Sequence, residues 1–248
     1  MTALPAAYRD QFSEPPGYLE FASTGPVSHR VHDAVASALA AVAAPRGSAW
    51  EAIAADHRAG LAAMARLVGT TPDRVTTIPS TSAGIFQVAF GLLGGGGNVV
   101  LAAHEFPANI YPWLRAEAVG GPQVRLVDCP DARVTVERLA PVVDAGTRAV
   151  AVSMVDYLTG FRADLGDLRA AFPEPLLVVD GIQGLGAVAG GLAPADVLVA
   201  GGQKWLRAGW GRGVMAVGDG ALERLGPALA GWWGVAADRD FAPPPPPP

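Results

Sequence analysis

Leu176-Leu177-Val178-Val179-Asp180-Gly181-Ile182-Gln183 is the stretch that decides how this chain folds. Four apolar residues run without a polar break into an aspartate and a glycine, the pattern of a buried strand that ends at a sheet edge. Comparable runs occupy 74–78, 98–102, 123–127, 149–154, 197–200 and 213–217. Between them lie stretches of helical period at 83–93, 109–118, 136–144 and 165–171. Two alanine-rich helices at 29–44 and 50–68 precede the sheet. This alternation predicts an α/β fold, a mostly parallel sheet of about seven strands with helices on both faces. The ends are less regular: Tyr18-Leu19-Glu20-Phe21 reads as an extended arm, and a further helix is expected over 221–229.

The chain has 248 residues, half of them apolar, enough for one large core or a domain plus a fragment. Its net charge of -5 is spread along the sequence, which excludes a basic face for nucleic acid. No run reaches membrane-spanning length without Gly, Pro or charge, so a soluble, cytoplasmic protein is expected. Cys129 stands alone, and His29, His32, His57 and His104 show no metal-ligand spacing; no metal site is expected.

Lys204 is the one lysine among 18 positive side chains. It follows the apolar run at 197–200 in Gly201-Gly202-Gln203-Lys204-Trp205, 24 positions after Asp180. A lysine amine whose pKa is lowered by burial can attack an aldehyde, which guanidinium cannot. An aspartate and a lysine delivered by neighbouring strands to one sheet edge suit pyridoxal phosphate: the amine holds the aldehyde as an imine, and the carboxylate keeps the pyridine nitrogen protonated. Capping of the next helix is the ordinary alternative for Asp180. Ser80-Thr81-Ser82 opens a helix after the first strand, where hydroxyls and free N–H groups suit a phosphate. Phe106 follows the second strand and could cover an aromatic ring.

Taken together, Ser80-Thr81-Ser82, Glu105-Phe106-Pro107-Ala108-Asn109, Thr159-Gly160-Phe161-Arg162-Ala163-Asp164, Asp180-x-x-Gln183 and Gln203-Lys204-Trp205 resemble the class V aminotransferases. These are fold-type I pyridoxal-phosphate enzymes that include cysteine desulfurases, isopenicillin N epimerase-like enzymes and kynureninases. The resemblance runs from about Tyr18 to Trp233. It implies that Lys204 is the Schiff-base lysine and general acid–base and that Asp180 is the pyridinium partner. It further implies that Gln183 bonds the cofactor's phenolic oxygen or imine region, and that Phe106 stacks on the ring. Thr81, Ser82 and Gln203 fall at phosphate-binding positions. Gly201 replaces a common serine there, and Tyr157 falls near a position often held by asparagine.

The resemblance also implies an amino-acid substrate, transamination as the default reaction, and a homodimer. It divides the chain into an arm (1–16), a cofactor-binding large domain (17–218), the start of a shortened small domain (219–241) and a proline tail (242–248). Members of the family continue into a small domain that carries the substrate-carboxylate arginine and, in desulfurases, the reactive cysteine. Cys129 does not match that cysteine, while Arg207 and Arg212 flank the lysine and could meet a carboxylate or phosphate. Racemase or β/γ-lyase chemistry would use the same residues. A shortened homologue that binds the cofactor without turnover, or an interaction protein using Trp232, Trp233 and the tail, are the alternatives outside catalysis. Gly184-Leu185-Gly186-Ala187-Val188-Ala189 mimics a dinucleotide fingerprint, but it is displaced from the strand end and lacks a ribose-binding acid.

Overall fold

Seven strands form one sheet: β1 (Val75–Ile78), β2 (Asn98–Ala102), β3 (Gln123–Val127), β4 (Thr147–Ser153), β5 (Leu176–Asp180), β6 (Val197–Gly201) and β7 (Gly213–Val217). Among the described residues, eight α-helical segments accompany them: α1 (Ala6–Arg9), α2 (His29–Ala43), α3 (Ala49–Val68), α4 (Thr81–Gly91), α5 (Tyr111–Glu117), α6 (Val136–Leu139), α7 (Leu165–Ala171) and α8 (Asp219–Leu222). The structure is a computed structural model that describes residues 5–44, 49–227 and 229–231. Strand order is β1-β7-β6-β5-β4-β2-β3. Only β7 runs against its neighbours, pairing antiparallel with both β1 and β6.

β5 is the fourth of the seven strands, and every residue of it is buried. That is why its sequence is apolar without alternation. Leu177 and Val179 pack with Val68 of α3, Leu139 of α6 and Leu168 of α7 on one face. Leu176 and Val178 pack with Ile85 of α4, Trp113 of α5 and Ala221 of α8 on the other. Truncating a side chain such as Leu177 to alanine would cost about 2–5 kcal/mol. Because β2, β4, β5 and β6 are parallel, their C-terminal ends share one edge of the sheet. Ligands of open α/β sheets bind along that edge.

Several expected elements differ. The helix expected over 136–144 stops at Leu139, because Pro141 has no N–H to give to the carbonyl of Glu137. The one expected at 83–93 begins two residues earlier, where the Ser80 hydroxyl caps it by accepting the Ala83 N–H at 3.2 Å. Thr81 and Ser82 therefore form its first turn. The arm expected to be extended at Tyr18–Phe21 contains a 3₁₀ turn over Glu20–Ala22. The helix expected at 221–229 is the single turn of α8. Trp232, Trp233 and the proline tail lie outside the described residues. None of the residues of α2 is buried; Val35, Leu39 and Val42 are exposed on it. No described helix is long and apolar enough to cross a membrane, and no described group of His, Cys, Asp or Glu could hold a metal.

Candidate active site

Asp180 ends β5 and is 2% exposed. Its Oδ1 accepts the N–H of Ile182 at 2.9 Å, whereas Oδ2 is buried with no hydrogen-bond partner among the described residues. A buried carboxylate oxygen without a partner is costly, so this atom is where a cationic or N–H-bearing ligand would be most strongly held. Burial pushes the Asp180 carboxyl up to about 7; Glu105 adds to the rise, while the Ile182 N–H and Lys204 oppose it.

Lys204 lies three residues beyond β6 and is partly buried, with Nζ 5.4 Å from the centre of the Phe106 ring. Burial pushes its amine below the usual lysine value, and Asp180 pulls it back. The ring of Phe106, 40% exposed, is braced by the edge of Tyr157 at 5.2 Å between centres. An aromatic face that is open yet supported on one side and near an amine can carry a planar ligand.

The lysine loop is tied to its surroundings at three points. Gly201 N–H donates to Thr81 Oγ1 at 2.9 Å, which joins the end of β6 to the first turn of α4. Gly25 N–H donates to the carbonyl of Gln203 at 2.7 Å. Arg207, at a left-handed φ of 54°, donates to the carbonyl of Pro26 at 2.7 Å and to Glu14 at 2.6 Å. Its guanidinium carbon stands 3.3 Å above the centre of the Phe12 ring. Arg207 is therefore spent on holding residues 12–26, not free for a substrate carboxylate.

Gln183 is committed as well. Its Nε2 donates to the carbonyl of Ala22, and its Oε1 accepts the indole N–H of Trp205, both at 2.9 Å. The amide expected to face a ligand instead locks the N-terminal segment to the lysine loop. Phe21, stacked on Trp205 at 5.5 Å, reinforces that lock. Gln203 is partly buried, and its Oε1 lies 2.5 Å from where a Cβ on Gly201 would stand. A serine at 201 would meet that carboxamide. Ser82 is partly buried in the first turn of α4, and its hydroxyl has no partner among the described residues. Cys129 is 2% exposed, and burial pushes its thiol up. Arg212 is exposed.

The sequence reading passed over Glu105 as a chemical group. Its signal was an acid three residues past an apolar strand, and the ends of β2 and β5 share one edge of the sheet. A cleft of about 460 Å³ lined by Met154, Arg162, Ala189 and Pro194 lies outside this constellation, with Arg162 Nη2 spent on the carbonyl of Ala189.

The sequence profile of the family described as aminotransferase class-V matches residues 17–235. The chain belongs to this family. A probable cysteine desulfurase of Aeropyrum pernix is 31% identical over 129 residues, 49% of this chain and 31% of that protein. An uncharacterized aminotransferase of Bacillus subtilis, YcbU, is 26% identical over 253 residues, 98% of this chain and 66% of that protein. The cysteine desulfurase CsdA of Escherichia coli superposes with a TM-score of 0.74 at 21% identity, covering 91% of this chain and 60% of that one. The chain thus spans less than two thirds of the length of these relatives.

Class V enzymes are built around pyridoxal phosphate, and the residues present fit that group. The partnerless Asp180 Oδ2 suits a pyridinium N–H, and the Phe106 face lies beside the only lysine. With the Ala83 N–H taken by the cap, the first-turn N–H groups of Thr81 and Ser82 remain for a phosphate.

Proposed function

We propose that this chain forms the cofactor-holding part of a pyridoxal-phosphate enzyme that acts at Cα of an amino acid, with transamination as its reaction. The observation that carries the reading is the wholly buried, half-satisfied Asp180 electrostatically coupled to the sole lysine across the ends of two adjacent strands. When bound, the cofactor supplies an electron sink for the pair of electrons left on Cα as its proton departs. Asp180 would keep the ring nitrogen protonated, and Phe106 would cover the ring. The first turn of α4, with Thr81, Ser82 and the carboxamide of Gln203, would hold the phosphate. Lys204, lowered by burial toward its neutral form, would be the amine that holds the aldehyde and the base that moves the Cα proton. Gln183 serves by position, through the Ala22 and Trp205 bonds, more than by direct contact.

Cys129 is not proposed as a sulfur-transfer nucleophile, because it is buried and burial raises its thiol pKa. Residues 219–241 are proposed as the opening of the second domain. A homodimer is proposed as the working form, with the exposed Leu19, Leu158 and Trp210 as available apolar surface.

The test is a panel of amino acids offered with a 2-oxo acid acceptor to protein loaded with pyridoxal phosphate. Conversion of the acceptor to its amino acid supports transamination. Release of sulfide, ammonia or the mirror-image amino acid would replace that reaction by another at the same site. Cofactor binding with no conversion of any member of the panel would leave a binding homologue.

A further inference from the structure

Glu105, three residues past β2, is 5% exposed, and its carboxylate gathers three donors. Oε1 accepts the Ser153 N–H at 2.8 Å, and Oε2 takes the Asn109 Nδ2 at 3.1 Å together with the Ser153 hydroxyl. Ser153 is the last residue of β4 and the register partner of Asp180 on β5. Two buried carboxyls, one from the loop after β2 and one at the end of β5, therefore flank one serine. Asp180 is faced by Glu105 from the loop after β2 and by Lys204 from the loop after β6. On its other side Glu105 senses His104, whose Nε2 lies 3.7 Å from Asp156 Oδ2 in the loop after β4. A charged Glu105 disfavours ionisation of Asp180 across Ser153. Glu105 also adjoins Phe106 in the chain, so its bonds hold the loop that presents the ring.

We propose that Glu105 is a positioning residue of the cofactor site. Its bonds to Ser153 and Asn109 fix the Phe106 loop, and its buried carboxyl raises further the pH at which Asp180, already buried, becomes the anion that pairs with the cofactor. The proposal rests on the pyridoxal-phosphate reading, yet its electrostatic half is measurable with no cofactor present.

Glu105→Gln removes the charge and can keep the tie. The new amide oxygen accepts the Ser153 N–H, and a turned Asn109 carboxamide, whose Oδ1 is otherwise buried without a partner, accepts from the new NH₂. Carboxyl ¹³C NMR titration of the cofactor-free protein should show the Asp180 midpoint falling in E105Q by at least half a pH unit, about threefold in its ionisation constant. E105L, which also removes the charge, should lower the Asp180 midpoint comparably. That second titration decides the matter if E105Q does not fold. An Asp180 midpoint unchanged in folded E105Q or E105L would overturn the electrostatic claim.

For the positioning claim, E105A should weaken pyridoxal phosphate binding at least tenfold, and E105Q should bind within threefold of the parent at pH 8. Equal affinity of E105A and the parent would overturn it. Failure of the parent itself to bind the cofactor would instead sink the functional reading and leave the titration result standing.

Discussion

Replacing Asp180 by asparagine should stabilise the cofactor-free protein increasingly as the pH rises. The Asp180 carboxyl is pushed from its ordinary 3.8 to about 7 by burial, so the folded state holds a proton that the unfolded state has already released. A raised carboxyl stabilises the fold fully below pH 3.8, and that contribution is lost as pH rises through 7. Each pH unit in that window costs up to about 1.4 kcal/mol and less as pH nears 7, so roughly 2 kcal/mol disappears between pH 5 and 7. Asparagine keeps the acceptor for the Ile182 N–H and carries no titrating group. Urea unfolding of parent and D180N at pH 5, 6, 7 and 8 should show the difference in stability moving in favour of D180N by about 2 kcal/mol up to pH 7, then levelling. Parallel pH profiles for the two proteins would refute the reasoning, since Asp180 would then ionise as freely folded as unfolded.

Other substitutions test the framework around the site. At Gly25, a Cβ would stand 1.9 Å from the carbonyl oxygen of Lys204, so G25A must displace the lysine loop or the N-terminal segment. Expected are a loss of about 1–3 kcal/mol in thermal unfolding and at least tenfold weaker pyridoxal phosphate binding; unchanged affinity would deny the coupling. T147V removes the hydroxyl that donates to Asn98 Oδ1 at 2.9 Å, and Asn98 is 2% exposed. Urea denaturation should register about 1–3 kcal/mol for the acceptor left unpaired. Asp144 is held down at about 2 by hydrogen bonds from Arg125 and Asn98. Its contribution is present above the ordinary carboxylate range and is lost as pH falls through 2, so D144N should flatten the acid limb of stability between pH 4 and 2.

Strands were legible because burial on both faces leaves them uninterrupted apolar sequences; β2, β3, β5 and β7 keep their expected limits. Helix limits were less legible where one proline or one cap decides them, as at Pro141 and Ser80. In the site, Asp180 and Lys204 could be read because each follows its strand directly and its chemistry belongs to the residue type. Gln183 could not: its partner Ala22 lies 161 positions away, and its distance from the lysine loop in sequence hides the Trp205 bond. The role of Arg207, which in sequence could meet a carboxylate or phosphate, was illegible for the same reason. Only folding brings Glu14, Pro26 and Phe12 around it. Glu105 escaped notice because its importance comes from Ser153, 48 residues on, which the sheet places beside Asp180.

The central claim, that Lys204 and Asp180 hold pyridoxal phosphate, is tested most directly by the visible absorption spectrum of the purified protein incubated with that cofactor. K204A is measured beside it, and borohydride is added at the end. The parent should develop the band of lysine-bound cofactor and retain the label covalently at Lys204 after reduction, while K204A shows only the free aldehyde. A parent spectrum identical to that of K204A, or reduction that labels no residue, would contradict the account.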